Sequence, residues 1–255
     1  MDRQLKPGKV WLVGAGPGDP ELATVKAARV LGQVQVWLMD DLVSPGMRRY
    51  AAPDTRIISV GKRGGRCSAS QASIQALTLA HALAGRDVAR VKGGDPLLFG
   101  RGGEEAEFLR AHGIAVEVVN GVSSGMAAAQ ALGIALTHRA HCHGVTFVTA
   151  HTSGDGRPDW RALAAGGTTL VIYMGMGRLC AIRDALLAAG MRPGMPAAVV
   201  MHASNPGERR WAGTLATLAE ALAAGLASPA VVLIGGVAAQ ALPDMPYACP
   251  RSINI

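Results

Sequence analysis

Aromatic side chains are scarce, with Phe, Trp and Tyr making up 4% of the 255 residues. Single-stranded nucleic acid is usually held on stacked aromatic rings, so this composition does not favour such a platform. Cysteine is equally thin. Cys67, Cys142, Cys180 and Cys249 lie far apart and form no CxxC pair, which favours buried thiols over a disulfide frame. Long apolar runs are missing as well. The longest are strand-length, such as 229–234, so no membrane span is expected. The opening MDRQLKPGKV has charge but no apolar stretch of the kind a signal peptide needs, and a cytoplasmic chain is the expectation. Lysine is rare too, limited to Lys6, Lys9, Lys26, Lys62 and Lys92.

Hydrophobic residues make up 49% of the chain and charged residues 17%, a balance that excludes a disordered protein. The formal net charge is +7, and arginine carries most of the positive side. Its rigid fork binds carboxylate or phosphate through two hydrogen bonds. The charges are scattered and not gathered in a tail. A polyanionic small molecule, RNA or a solvated basic surface would each account for them.

The first half alternates strand-like and helical patterns. Strands are expected at 10–13, 34–38, 88–91 and 116–119, with helices at 22–31, 71–84, 104–112 and 124–132. Such alternation predicts a mainly parallel sheet with helices on its faces. A polar, histidine-rich break follows at 136–144. Strands then resume at 145–149, 169–173, 197–201, 210–213 and 230–234, the pair 197–201 and 210–213 reading as antiparallel neighbours. A helix is expected at 179–189, and Thr214 is a candidate cap for another that runs to Ala224. The fold class is α/β, with two α/β domains at 1–137 and 138–255. Ligands in such sheets bind beyond the carboxyl ends of strands.

Three Gly-rich turns occupy those positions. The first, Gly14-Ala15-Gly16-Pro17-Gly18-Asp19-Pro20, departs from the GxGxxG dinucleotide fingerprint, because its third glycine is replaced by Asp19 and Pro17 has no amide to offer a phosphate. Its glycines suit close approach to a ligand without phosphate. A second turn runs from Lys92-Gly93-Gly94-Asp95-Pro96 through Phe99-Gly100-Arg101-Gly102-Gly103-Glu104-Glu105, denser in glycine and charge than a plain turn requires. In the third, Asn120-Gly121-Val122-Ser123-Ser124-Gly125, either serine suits a helix cap.

Taken together and in this order, the runs resemble those of the tetrapyrrole methylases, and within that family its uroporphyrinogen branch. The matching pieces are VGAGPGDPEL from Val13, DLVSP from Asp41 preceded by Asp40, and GKRGG with Ser68 and Gln71. VKGGDPLLFGRGGEE from Val91, GVSSGMAAA, LTHR from Leu136, TLVIYMG from Thr169 and GTL from Gly213 continue the match, which extends from about Val10 to Val237. GGDP with FGRGGEE is the specific element; GAGPGDP marks only the broader class.

The resemblance implies that S-adenosyl-L-methionine, bound in a cleft between two α/β domains of a homodimer, supplies methyl groups to two pyrrole rings of uroporphyrinogen III, giving precorrin-2 by way of precorrin-1. Cobalamin, sirohaem and haem d1 are the end products such a step can feed. It places Pro17 beside the cofactor, with Gly93, Gly94 and Asp95 at its amino-acid end. Ser123, Ser124, Met174, Ala203 and Ala230 would complete the pocket. Asp40 or Glu104 would stabilise positive charge on the macrocycle or accept its proton. Arg101 and Arg139 would grip substrate carboxylates, and Glu104, three residues after Arg101, equally suits the role of orienting that arginine. The family's usual residues are replaced at Met39, Asn120, Ala140 and Ala150.

His138, His141, Cys142 and His143 form one metal-like cluster. Neighbours on an extended segment point to opposite faces and methyl transfer needs no metal, so no metal site is expected. Two other function classes stay open: an RNA-binding or RNA-modifying protein, which the basic charge suits and the absence of an RNA-binding motif does not, and a binding module without turnover, against which the intact GGDP and FGRGGEE runs stand.

Overall fold

The computed structural model describes residues 6–61, 70–151, 156 and 158–241. Ser68, most of the GKRGG run, Cys67 and Cys249 lie outside the described residues. Contacts divide the chain into two units, Met1–Ser123 and Ser124–Ile255.

In the first unit the order is β1 (Val10–Gly14), α1 (Val25–Leu31), β2 (Val36–Met39), β3 (Arg56–Ser59), α2 (Gln71–Leu83), β4 (Val88–Lys92), α3 (Gly102–Ala111) and β5 (Val116–Val119). The strands form one wholly parallel sheet in the order β3-β2-β4-β1-β5. Helices cover both faces, so the central strands β1 and β2 are apolar on both sides, as parallel sheets favour, while β4 carries Arg90 and Lys92 on one of its faces. One face packs Val13, Leu31, Trp37 and Met47; the other packs Leu12, Leu38, Ile74 and Leu109. Helix α1 starts at Val25, later than the expected Leu22. Asp19 caps a short 3-10 turn over Pro20–Leu22, and Thr24 then caps α1 by accepting the Ala27 amide at 3.1 Å.

The second unit contains α4 (Ser124–Ala131), β6 (Val145–Thr149), α5 (Trp160–Ala165), β7 (Thr169–Tyr173), α6 (Leu179–Ala188), β8 (Pro196–Met201), β9 (Arg209–Thr214), α7 (Glu220–Ala223) and β10 (Ala230–Ile234). Its sheet, in the order β6-β7-β10-β8-β9, is mixed: β6 and β7 run parallel and every other pairing is antiparallel. The neighbours β8 and β9 are antiparallel, as their spacing predicts. Leu170, Ile172, Ile182, Leu186, Leu218 and Val232 form the core. Helix α4 presents Gly125, Ala127, Ala128 and Ala131 inward and packs against β7, β8 and β10, which groups it with the second unit from Ser124 onward. Thr214 does not cap a helix. Its hydroxyl and amide both meet the Thr217 hydroxyl in a turn, and α7 begins only after Ala219.

Candidate functional site

The three Gly-rich turns meet at the carboxyl ends of β1, β4 and β5, which are adjacent in the first sheet. Gly94 donates its amide to the Gly16 carbonyl at 2.8 Å, and Gly16 returns the bond at 3.3 Å. A Cβ on Gly14 would stand 2.5 Å from the Gly121 nitrogen, and one on Gly121 would stand 2.3 Å from the Gly94 oxygen. Neither position has room for any side chain. Pro17 follows Gly16, whose φ of +75° sets the turn. Gly93 packs against Leu42, where a Cβ would lie 3.1 Å from the leucine Cβ.

Asp95 fastens this arrangement. Its Oδ1 accepts the Leu97 amide at 2.8 Å, and its Oδ2 accepts the Gly121 amide and the Asn120 Nδ2 group, each at 3.1 Å. Asn120, a departure from the family pattern, therefore has a local task. Three acceptor positions of the carboxylate are occupied, which leaves room for about one further donor.

Asp40 follows β2 and belongs to a set of charges that sequence reasoning did not assemble. Arg90 Nη2 meets its Oδ1 at 2.5 Å and Lys92 Nζ faces its Oδ2 at 3.6 Å. Glu105, from α3, lies 3.0 Å from Lys92 Nζ and accepts from Gln71 Nε2 at 2.8 Å. The available signal was the parity of Val88-Ala89-Arg90-Val91-Lys92. In a strand buried on both faces, two of these side chains had to be charged and inside.

Arg101 and Glu104 pair with one another at the start of α3. Arg101 donates Nε to Oε1 at 3.0 Å and Nη2 to Oε2 at 2.6 Å. The arginine holds the Glu104 carboxyl below the usual carboxylate range, and the carboxylate raises the guanidinium in turn. Gly100 and Gly102 are needed because the chain passes close to Pro96. A Cβ on either would stand 2.7 Å or 2.5 Å from the Pro96 carbonyl oxygen.

In the second unit, Met174 follows β7, Ala203 follows β8, and Ala230 opens β10 opposite Met201. All three therefore share one edge of the mixed sheet. Ser124 joins them by way of its neighbour, since Gly125 donates its amide to Tyr173 Oη at 2.9 Å. Ser123, the last residue of the first unit, is buried. Arg139 stands apart. It is exposed in a turn whose neighbour His143 donates to the Gly167 carbonyl, before β7, and whose His141 packs on Gly236, beyond β10. That is the opposite edge of the sheet.

Backbone conformation marks the same places. Among the described residues, the non-glycine residues with positive φ are Phe99 and Arg101 after β4, Met174 after β7, and His202 and Ser204 after β8. Such conformations cost about 1–3 kcal/mol each and concentrate at ligand sites. The His138–His143 segment serves its own turn. The His138 and His141 rings lie 4.7 Å apart and the Cys142 sulfur accepts the His138 amide. Among the described residues no group of three or more His, Cys, Asp or Glu side chains is placed to hold a metal ion, and no helix is long and apolar enough to cross a membrane.

Known proteins match this chain along most of its length. A family model for tetrapyrrole (corrin/porphyrin) methylases matches residues 9–219. A uroporphyrinogen-III C-methyltransferase of Pseudomonas aeruginosa is 52% identical over 231 residues, covering 90% of this chain and 94% of that protein. A sirohaem synthase of Aeromonas hydrophila is 45% identical over 91% of this chain, which spans 49% of that longer protein. The crystal structure of a uroporphyrin-III C-methyltransferase from Thermus thermophilus, complexed with S-adenosyl homocysteine, superposes with a TM-score of 0.77 at 44% identity, covering 90% of this chain and 93% of that one. The chain belongs to the tetrapyrrole (corrin/porphyrin) methylases.

Proposed function

We propose that the chain is an S-adenosyl-L-methionine-dependent methyltransferase that adds methyl groups to two pyrrole rings of uroporphyrinogen III, yielding precorrin-2 by way of precorrin-1. The observation that carries this reading is the convergence of Gly14, Gly94 and Gly121, with Asp95 fastening the turns around them. A cationic cofactor without phosphate calls for bare backbone at close range and a nearby carboxylate, and this edge offers both. Pro17, Gly93, Gly94, Asp95 and Ser123 are the residues of the first unit that would hold it.

Bound there, the cofactor supplies an already activated methyl group, so the protein's share is alignment, charge and exclusion of water. An electron-rich pyrrole carbon attacks in line with the departing sulfur, positive charge appears on the macrocycle, and a proton leaves. Asp40, whose carboxylate is held in a fixed direction by Arg90 and Lys92, faces that charge and accepts the proton. Arg101 grips a substrate carboxylate with Glu104 as its orienting partner. The enzyme works as a cytoplasmic homodimer, and light scattering on the purified chain tests the dimer.

Mass spectrometry of the products from uroporphyrinogen III and S-adenosylmethionine decides the main claim. One and then two added methyl groups are expected. An unmodified tetrapyrrole, under conditions where a known relative turns over, would overturn it.

A further inference from the structure

Four charges gather at the carboxyl end of β4 under α2 and α3, and only one of them reaches solvent. Arg90 and Lys92 are two residues apart on β4 and so share a face of the sheet. Their side chains are 2% and 5% exposed, that of Glu105 is 3% exposed, and that of Asp40 is 28% exposed. An unpaired cation so deeply buried would be prohibitive. Glu105 answers one of the two. Its Oε1 takes the Lys92 ammonium and the Gln71 amide, while its Oε2 stands 3.4 Å from Arg90 Nε, an ion pair without a hydrogen bond. The second positive charge is answered by Asp40.

The geometry at Asp40 is directional. Arg90 Nη1 donates to the Leu38 carbonyl at 3.2 Å and to the Val91 carbonyl at 3.4 Å, which fixes the guanidinium against the backbone of both β2 and β4. From that anchor Nη2 takes Asp40 Oδ1, and Lys92 faces Oδ2. Both oxygens are thus addressed by buried cations, while the carboxylate itself stays 28% exposed. A buried ion network is weak evidence for stability, since apolar replacements of matched volume are commonly neutral. What these cations supply that apolar residues could not is a direction for a carboxylate.

We propose that Arg90 and Lys92 are positioning residues for methyl transfer, which act by aiming the Asp40 carboxylate. This rests on the role given to Asp40 above. Neither cation touches substrate, because both are buried.

The test is a double-mutant cycle of Arg90→Gln with Asp40→Asn on the full chain. It reads kcat, KM for uroporphyrinogen III, S-adenosylhomocysteine affinity and the thermal midpoint, with Arg90→Lys as the conservative variant. Arg90→Gln should lower kcat about tenfold or more, as small misplacements do, and leave cofactor affinity within about twofold. Arg90→Lys should recover part of the loss. In the Asp40→Asn background Arg90→Gln should remove nothing further, because coupled residues are not additive. Additive losses, or an activity loss that simply tracks the thermal midpoint, would overturn the proposal. So would a crystal structure of Arg90→Gln with the Asp40 carboxylate unmoved. If Arg90→Gln does not fold, Lys92→Met runs the same cycle. Full turnover by Asp40→Asn would remove the reading of Asp40 and this inference together, whereas an impaired Asp40→Asn beside an unaffected Arg90→Gln would remove this inference alone.

Discussion

The Asp95 carboxylate accepts the Gly121 amide at 3.1 Å and so ties the turn after β4 to the turn after β5. The same oxygen takes the Asn120 side chain, and the other takes the Leu97 amide. An asparagine at 95 has one acceptor oxygen and cannot serve both sides. Asp95→Asn should therefore weaken S-adenosylhomocysteine by up to about tenfold, the scale of a lost hydrogen bond at about 0.5–1.5 kcal/mol. Asp95→Ala should lose more. Isothermal titration checks this, and unchanged affinity in both variants would show that the turns hold their shape without the carboxylate.

Glycine positions in the two runs should separate sharply on substitution. At Gly121 a Cβ meets the Gly94 oxygen at 2.3 Å, and at Gly102 one meets the Pro96 oxygen at 2.5 Å, whereas at Gly103 nothing lies within 4 Å. Backbone cannot step aside as a flexible side chain can. Gly121→Ala and Gly102→Ala should each cost about 1–3 kcal/mol of stability, the usual range for overpacking. Gly121→Ala should also abolish cofactor binding. Gly103→Ala should be neutral or slightly stabilising, since it lies within the first turn of α3. Thermal unfolding of the three variants side by side is the measurement.

Much of the first unit is legible in sequence because its strands are short, mostly apolar runs and each ends near a glycine or a charged turn. β3 escaped notice for the opposite reason. It is an edge strand whose Arg56 and Ser59 are exposed, so only Ile57 and Ile58 signal it. α5 is six residues long with a single leucine, too short to show a period. Apart from the β8–β9 pair, strand direction in the second sheet was not readable, because an apolar run such as 230–234 reads the same either way. The turns that contain Asp95 and Arg101 stand out in sequence as Gly-rich and charged. The Arg90–Glu105–Lys92 set does not, since its members become neighbours only when α3 is laid over β4.

A pH effect should arise at β5, outside these turns. Glu117, on β5, lies 2.5 Å from Lys26 and 2.5 Å from Lys9, and its carboxyl is lowered from 4.5 to about 2, first by Lys26 and then by Lys9. A carboxyl depressed on folding contributes stability above its unfolded value and loses it as pH falls through the folded one. The contribution is therefore complete above about 4.5 and gone near 2. The side chain is 33% exposed, so the stabilisation is no more than the modest value of a surface pair and weakens with salt. Glu117→Gln should lower the thermal midpoint slightly at neutral pH, with the difference closing across that window. A difference that grew as the pH fell would contradict the assignment.

The division of labour proposed for the site is most exposed to test at Arg101. Its φ of +57° places it in the left-handed region directly before α3, and its side chain is 55% exposed with the Nε–Nη2 edge of the guanidinium on Glu104. An exposed pair adds little to stability, so the thermal midpoint of Arg101→Ala should hardly move. Turnover should fall on the order of a hundredfold, the usual result of losing an orienting contact to the substrate, while S-adenosylhomocysteine affinity stays within about twofold. Arg101→Lys should restore only part of the rate, because an ammonium cannot reproduce the bidentate fork that a substrate carboxylate takes. Glu104→Gln should give a milder loss, and in the Arg101→Ala background it should add nothing, since an orienting residue has no task once its arginine is gone. Steady-state kinetics with uroporphyrinogen III and titration with S-adenosylhomocysteine separate the two halves of the claim. Arg101→Ala losing the cofactor while still binding the tetrapyrrole would reverse the division. A further loss from Glu104→Gln in that background would instead give Glu104 a share in the chemistry beyond its hold on Arg101.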